Sequence, residues 1–321
     1  MSDLLSKHSI YNFQTYGGVR FDKLDISFQL FGQKLNTAPI VVVNHALTGN
    51  SDVASEERGW WKTIIGKNKL INTEKYTVIA FNVPGNGYDG VLFEDYKVFT
   101  TYDIAKLFSI TLKSLNIKEV YATIGGSLGG ALAWEMAVLE PNLIKYVIPI
   151  ACNWKSTDWV IGQCYVQDSI LNNSKTPLEE ARMMAMLFYR TSASFTAKFH
   201  RSRTDDDSKF NVESWLQHHG DKLTKRFELN AYKIMNHLLT TIDIVKDKLS
   251  FKEAIKDVKS TIIQVGIDSD LFFVAEENRN TQKELDSIKH PNQYHEIKSI
   301  HGHDAFLIEF EQLIKILKPV F

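Results

Sequence analysis

Apolar positions along this chain fall into two alternating patterns. Short runs rich in β-branched and aromatic residues, at 26–31, 40–44, 76–81, 120–124, 146–151, 261–265 and 294–298, read as β-strands. The central runs are apolar on both faces, as parallel strands covered by helices should be. Between them, apolar residues recur every three or four positions. Residues 101–115 predict an amphipathic helix with Asp103 near its positive end, and residues 128–139 a second helix that stops before Pro141. Residues 251–258 and 306–317 carry the same period. Alternation of this kind predicts a mostly parallel sheet, flanked by helices and linked by right-handed crossovers.

The alternation breaks between about 154 and 248. That stretch has little strand character, helical patterns at 178–198 and 212–239, and a polar tract at 201–209 that reads as an exposed loop. Strand-like runs then resume in the earlier style. The expected organisation is a core formed by residues 1–153 and 249–321, with a helical insertion at 154–248 placed to cap a site. A chain of 321 residues is long enough to bury one large core with such an insertion.

The run Gly125-Gly126-Ser127-Leu128-Gly129-Gly130 lies where the 120–124 strand meets the 128–139 helix. A serine between small residues at that junction fits the G-x-S-x-G nucleophile elbow, whose sharp turn lifts Oγ above the sheet. The Leu128 N–H then sits at a helix N-terminus, placed to donate to a developing oxyanion. The same motif also occurs as a plain packing turn, so other residues must decide. A serine hydroxyl needs a base, and the base needs an orienting acid. In α/β-hydrolases the acid and then the histidine follow the serine, on loops after late strands. Here Asp268 and Asp270 follow the 261–265 strand, and His301 and His303 follow the 294–298 strand. Either acid and either histidine fills its slot. The loop Asn44-His45-Ala46-Leu47-Thr48-Gly49 follows an early strand and is placed to supply a second oxyanion donor.

Composition narrows the partners. A net charge of −1 with 23% charged residues offers no basic field for nucleic acid or an anionic membrane. No apolar run approaches the roughly 20 residues needed to span a bilayer, and the start, Met1 to His8, lacks the apolar core of a signal peptide. Two cysteines, Cys152 and Cys164, make neither a disulfide scaffold nor a metal set, which points to a reduced, cytoplasmic setting. His45 is a lone histidine without a ligand set, and Pro84-Gly85-Asn86-Gly87 lacks phosphate-loop spacing. His218-His219 reads as surface or packing. No metal or resident cofactor is expected.

Several further segments, in order along nearly the whole chain, resemble the homoserine O-acetyltransferase family, acyl-CoA-dependent enzymes of methionine biosynthesis. They are Asn44 to Gly49, Gly59-Trp60-Trp61 with Ile65-Gly66, Gly125 to Gly130, Ala181-Arg182 through Tyr189-Arg190, Gly220 to Phe227 with Asn230-Ala231-Tyr232, Ser269 to Phe272, and Gly302 to Leu307. The resemblance implies an α/β-hydrolase fold with a helical lid insertion. It implies a triad of Ser127, Asp270 and His303, an oxyanion hole from the Leu47 and Leu128 N–H groups, and a homodimer with lid contacts. The substrates it implies are acyl-CoA, with acetyl favoured, and L-homoserine. Three departures stand out. Gln167 occupies the place of a family arginine associated with the amino-acid substrate, the glycine loop reads Asn82 to Gly90, and the lid is shorter. An amide cannot replace a bidentate guanidinium clamp, so Arg182 and Arg226 become the candidate substitutes. A serine esterase or thioesterase would share every triad residue, and Gln167 favours that alternative.

Overall fold

The computed structural model describes residues 5–321; the first four residues of the Met1 to His8 start lie outside the described residues. The chain opens with β1 (Ser6–Gln14), β2 (Arg20–Gly32) and β3 (Ile40–Asn44). The short β4 (Ile65–Gly66) and β5 (Ile71–Asn72) pair with each other, and β6 (Thr77–Phe81) follows. Then come α1 (Thr101–Ser114), β7 (Val120–Gly126), α2 (Leu128–Leu139) and β8 (Ile144–Ile150). Five helices follow before the next strand: α3 (Asp158–Asn173), α4 (Pro177–Tyr189), α5 (Ser192–Phe199), α6 (Asn211–Thr224) and α7 (Leu229–Thr240). The chain finishes with α8 (Phe251–Ile255), β9 (Thr261–Ile267), α9 (Ala275–Ser287), β10 (Asn292–Ile297), a 3-10 turn at Gly302–Leu307 and α10 (Phe310–Leu317).

Eight strands form one sheet in the order β1-β2-β6-β3-β7-β8-β9-β10. The pairs β1–β2 and β2–β6 are antiparallel and every later pair is parallel. The central strands alternate between two cores, as a pleat of period two requires. Val42, Ile79 and Phe81 pack with Leu107 and Phe108 of α1 and Leu132 of α2. Val41, Val43, Val78 and Ala80 pack on the opposite face with Trp61, Leu313 and Leu317. Trp61 and Trp134 are fully buried, and each such side chain contributes upwards of about 2 kcal/mol.

Local chemistry sets the ends of the helices. Thr100 and Asp103 cap α1 reciprocally, each side chain accepting the other's backbone N–H, so Asp103 does more than answer the helix dipole. Unlike α1, α2 is apolar on every side apart from the buried Glu135, because it is buried between the sheet and its neighbours through Ala137. The helical pattern at 178–198 breaks into α4 and α5 where Thr191 caps α5. The 212–239 pattern likewise divides into α6 and α7. The 306–317 helix starts later, at Phe310, after the 3-10 turn. Strand β1 and helices α3 and α9 are additions to the sequence reading. No helix among the described residues is long and apolar enough to cross a membrane.

Candidate active site

The ends of β3, β7, β9 and β10 converge on one edge of the sheet, and the loops leaving them hold the candidate residues. Ser127 follows β7 directly, at φ 56° and ψ −127°, a conformation few non-glycine residues adopt. Its N–H donates to the Ile150 carbonyl at 2.8 Å, which fixes the turn to β8. Glycine beside it is a steric requirement: a Cβ on Gly129 would lie 2.2 Å from the Asn44 carbonyl oxygen, and one on Gly126 would meet the Phe306 ring at 2.4 Å.

Ser127, His303 and Asp270 form a continuous hydrogen-bonded relay. The serine Oγ lies 2.9 Å from His303 Nε2, and His303 Nδ1 lies 2.7 Å from Asp270 Oδ2. Asp270 can only accept when ionised, so Nδ1 carries the proton and Nε2 is free to accept from Ser127. The other carboxylate oxygen of Asp270 accepts from the Phe272 and Phe273 N–H groups at 2.7 and 3.0 Å. The three residues are only 5, 3 and 4% exposed, respectively. Aromatic rings surround the imidazole, with Tyr189, Phe272, Phe273 and Phe306 centred 5.3–5.8 Å from it.

The rival residues are placed elsewhere. Asp268 accepts from the Ser299 N–H at 3.0 Å and lies 3.8 Å from Lys298. His301 turns its Nδ1 toward Arg190 and Ser194, each at 3.1 Å. Leu128 is the first residue of α2, so its N–H has no acceptor inside the helix. Leu47 lies on the loop after β3. That loop is braced by His45, whose Nδ1–H donates to the Ala46 carbonyl while Nε2 accepts from the Val83 N–H at 3.1 Å and faces the Asn86 amide at 3.3 Å. Burial pushes its pKa down to about 4, so it is a neutral brace between the loops. Sequence reading missed this network and the Asn82 amide, which accepts from the Ser51 N–H at 2.8 Å and donates to the Ser27 and Ser51 hydroxyls. Their signal was the polar residues crowded into loops after apolar strands.

Arg226 donates to the Thr48 carbonyl at 3.0 Å, beside Leu47. Burial, reinforced by the neighbouring Arg182, lowers its pKa. Arg182 lies over the Tyr189 ring at 5.7 Å and makes no ion pair among the described residues. Gln167 donates to the Ala181 carbonyl at 3.0 Å, while its Oε1 is buried and unpaired. It lines a narrow cavity with Gln163, Tyr189, Tyr232 and Phe272, and both polar atoms of the Gln163 amide are unpaired there. Burial pushes the Tyr232 phenol up to about 12, so that hydroxyl stays neutral. Among the described residues no cluster of three or more His, Cys, Asp and Glu is placed to hold a metal. Both cysteines are free and buried.

Residues 39–308 match the family model described as alpha/beta hydrolase fold. The chain is 31% identical over 329 residues to the homoserine O-acetyltransferase of Cyclobacterium marinum, covering 95% of this chain and 91% of the relative. The chain belongs to the homoserine O-acetyltransferase family. Among solved structures, the homoserine O-acetyltransferase of Bacillus anthracis superposes with a TM-score of 0.89 at 18% identity, over 99% of this chain and 98% of that one. Esterase E22 superposes with a TM-score of 0.86 at 16% identity, over 99% of this chain and all of that one. Such likenesses establish the shared fold only, and that fold carries both transferases and esterases. Membership of the homoserine O-acetyltransferase family makes this chain an enzyme, and an acyltransferase by descent.

Proposed function

We propose that this enzyme moves an acyl group, acetyl, from acyl-CoA to the hydroxyl of L-homoserine through an acyl-Ser127 intermediate. The observation that carries the reading is the buried Ser127–His303–Asp270 relay beneath the helical insertion, in a chain of this family. His303 Nε2 takes the serine proton as Oγ attacks the thioester carbonyl, and Asp270 holds the imidazolium that results. The oxyanion is received by the Leu47 and Leu128 N–H groups, each worth about 3–4 kcal/mol where such donors have been removed. The intermediate collapses, the C–S bond breaks, and His303 returns its proton to the departing CoA thiolate. The homoserine hydroxyl then gives its proton to His303 and attacks the acyl-serine, and the second collapse frees Ser127.

Transfer outruns hydrolysis only where the acceptor is held close and water is kept out. In this reading α3 to α7 form the lid that does both. Arg182 and Arg226 meet the acceptor carboxylate in place of the cation that Gln167 lacks. Arg182 makes no direct ion pair among the described residues, although Asp304 is close enough to feel its charge, so its donors are left for that role. Ser127→Ala should abolish both the acyl-enzyme and thiol release from acetyl-CoA. Intact-mass measurement checks this, and an acetyl adduct persisting on the variant would reject the assignment. Gln167 favours a second reading, a serine hydrolase for esters or thioesters, in which water is the second nucleophile. Thiol release that ignores homoserine would select it.

A further inference from the structure

The loop that delivers His303 is fastened to the helical insertion as well as to the core. Arg190, between α4 and α5, has a side chain only 14% exposed. Its Nε and Nη2 lie 3.1 and 3.0 Å from Ser194 Oγ, Nη2 lies 3.1 Å from His301 Nδ1, and Nη1 lies 3.7 Å from Asp304 Oδ2. A guanidinium has donors only, so His301 Nδ1 accepts. The flanking residues add to the grip. The Thr191 hydroxyl donates to the Ile300 carbonyl, and the Tyr189 ring packs on the His303 ring with centroids 5.4 Å apart. Gly302, at φ +64°, passes so close that a Cβ there would sit 3.0 Å from the Tyr189 carbonyl oxygen. Residues 189–191 therefore touch the chain on both sides of the histidine. On the core side, Ser269 Oγ accepts from the Gly302 N–H at 3.1 Å.

We propose that Arg190 is a positioning residue: it makes the alignment of His303 on Ser127 depend on the seating of α4 and α5. Pairing with Asp304 is the second half of the device. Asp304 is partly buried, its side chain 20% exposed, and adjoins His303 in sequence; desolvation raises its pKa while Arg182, His303 and Arg190 oppose that rise. The charged and titratable groups around the base are Asp270 from the acid loop, Asp304 from its own loop, and Arg190, Arg182 and Tyr189 from α4 and its C-cap. Without Arg190, Asp304 loses its counter-charge and the loop carrying His303 loses its tie to the end of α4. The inference deepens the acyl-serine chemistry proposed above but needs neither acyl-CoA nor homoserine for its test.

The test is phosphonylation of Ser127 in the full chain by a fluorophosphonate, followed across pH for wild type, Arg190→Met and Arg190→Lys. Oγ bonds to phosphorus, fluoride leaves, and the serine proton passes to His303, so the rate reports the alignment of the base without need of acyl-CoA or homoserine. Arg190→Met should slow labelling by about 10- to 100-fold, the cost of a small misplacement of reacting groups. Arg190→Lys should keep a charge beside Asp304 and recover only part of the rate, since an ammonium cannot make the forked contact. If Arg190→Met fails to fold, His301→Phe removes the acceptor instead and should slow labelling in the same sense. Labelling by a folded variant within about twofold of wild type at every pH would overturn the proposal. Wild-type labelling that depends on Arg190, with no acyl transfer from acetyl-CoA, would instead keep the latch and discard the transferase reading.

Discussion

At the residue scale, the decisive choices were between near neighbours. Asp268 and Asp270 both follow β9 and differ by two positions, so order along the chain could not separate them; family resemblance favoured Asp270 and His303. The structure shows what separates them physically. The turn at 270–273 points two N–H groups at Asp270 and leaves its second oxygen for His303, whereas Asp268 is taken up by Ser299. Asp270→Asn should lower kcat by about four orders of magnitude, because an amide there favours the wrong imidazole tautomer. Asp268→Asn should keep kcat near wild type, and steady-state kinetics on a chromogenic acetyl ester distinguishes the two. The elbow was legible because glycines stand where its turn leaves no room for a Cβ, and because an acid and a histidine follow in the order that sets it apart from a packing turn. Gly129→Ala should yield little folded protein, since its methyl would overlap the Asn44 carbonyl oxygen, and thermal denaturation of whatever is soluble checks it.

At the element scale, strands bearing apolar residues on both faces were legible, and so were helices with an apolar stripe. Helix α3 was not, because its pattern is inverted. Trp159, Ile161, Tyr165 and Val166 face outward, while Gln163 and Gln167 are buried. Helix α9 was hidden by composition, since it buries Asn278 and Thr281 beside Ala275 and Leu285 and is otherwise rich in charge. Buried polar residues also tie elements together. Glu135 of α2 is 2% exposed, accepts from the Thr101 hydroxyl at 2.8 Å, and lies 3.5 Å from Lys246 in the segment returning from the insertion. Burial raises its pKa to about 7, only partly opposed by Lys246. With the folded pKa above the usual 4.5, the folded state holds this proton more tightly than the unfolded state. Its contribution to stability is therefore greatest in acid, falls as pH rises between those values, and is level above them. Lys246→Met removes the counter-charge and should cost roughly 1–2 kcal/mol at pH ~8, where wild-type Glu135 is mainly ionised and the variant's must take up a proton. At pH ~5.5, where Glu135 is protonated, the loss should shrink. Denaturant titrations at the two pH values check this, and an equal loss at both would contradict it.

At the scale of the whole molecule, α4 reaches the relay through Tyr189, which packs on His303, and α3 carries an outward apolar face. Tyr165 is 74% exposed, with Ile161 and Val166 beside it. We propose that this face pairs two copies of the chain, as the family resemblance led us to expect. The protein should then elute as a homodimer, and Tyr165→Glu should shift light-scattering mass to that of the monomer without loss of fold. The fold was readable from one sequence because it follows from local pattern and order, whereas the choice of Asp270 and His303 needed the family resemblance as well. The cavity lined by Gln163, Gln167, Tyr189, Tyr232 and Phe272 was not readable, because α3, α4, α7 and the loop after β9 meet there only in the folded chain. The central claim is that Ser127 carries an acyl group from CoA to homoserine. The most direct measurement is mass spectrometry of the protein mixed with acetyl-CoA, with and without L-homoserine. The account predicts an acetyl group on Ser127 that persists without homoserine and is discharged as O-acetylhomoserine when it is added. Free acetate released at the same rate in both mixtures, with no O-acetylhomoserine, would contradict it.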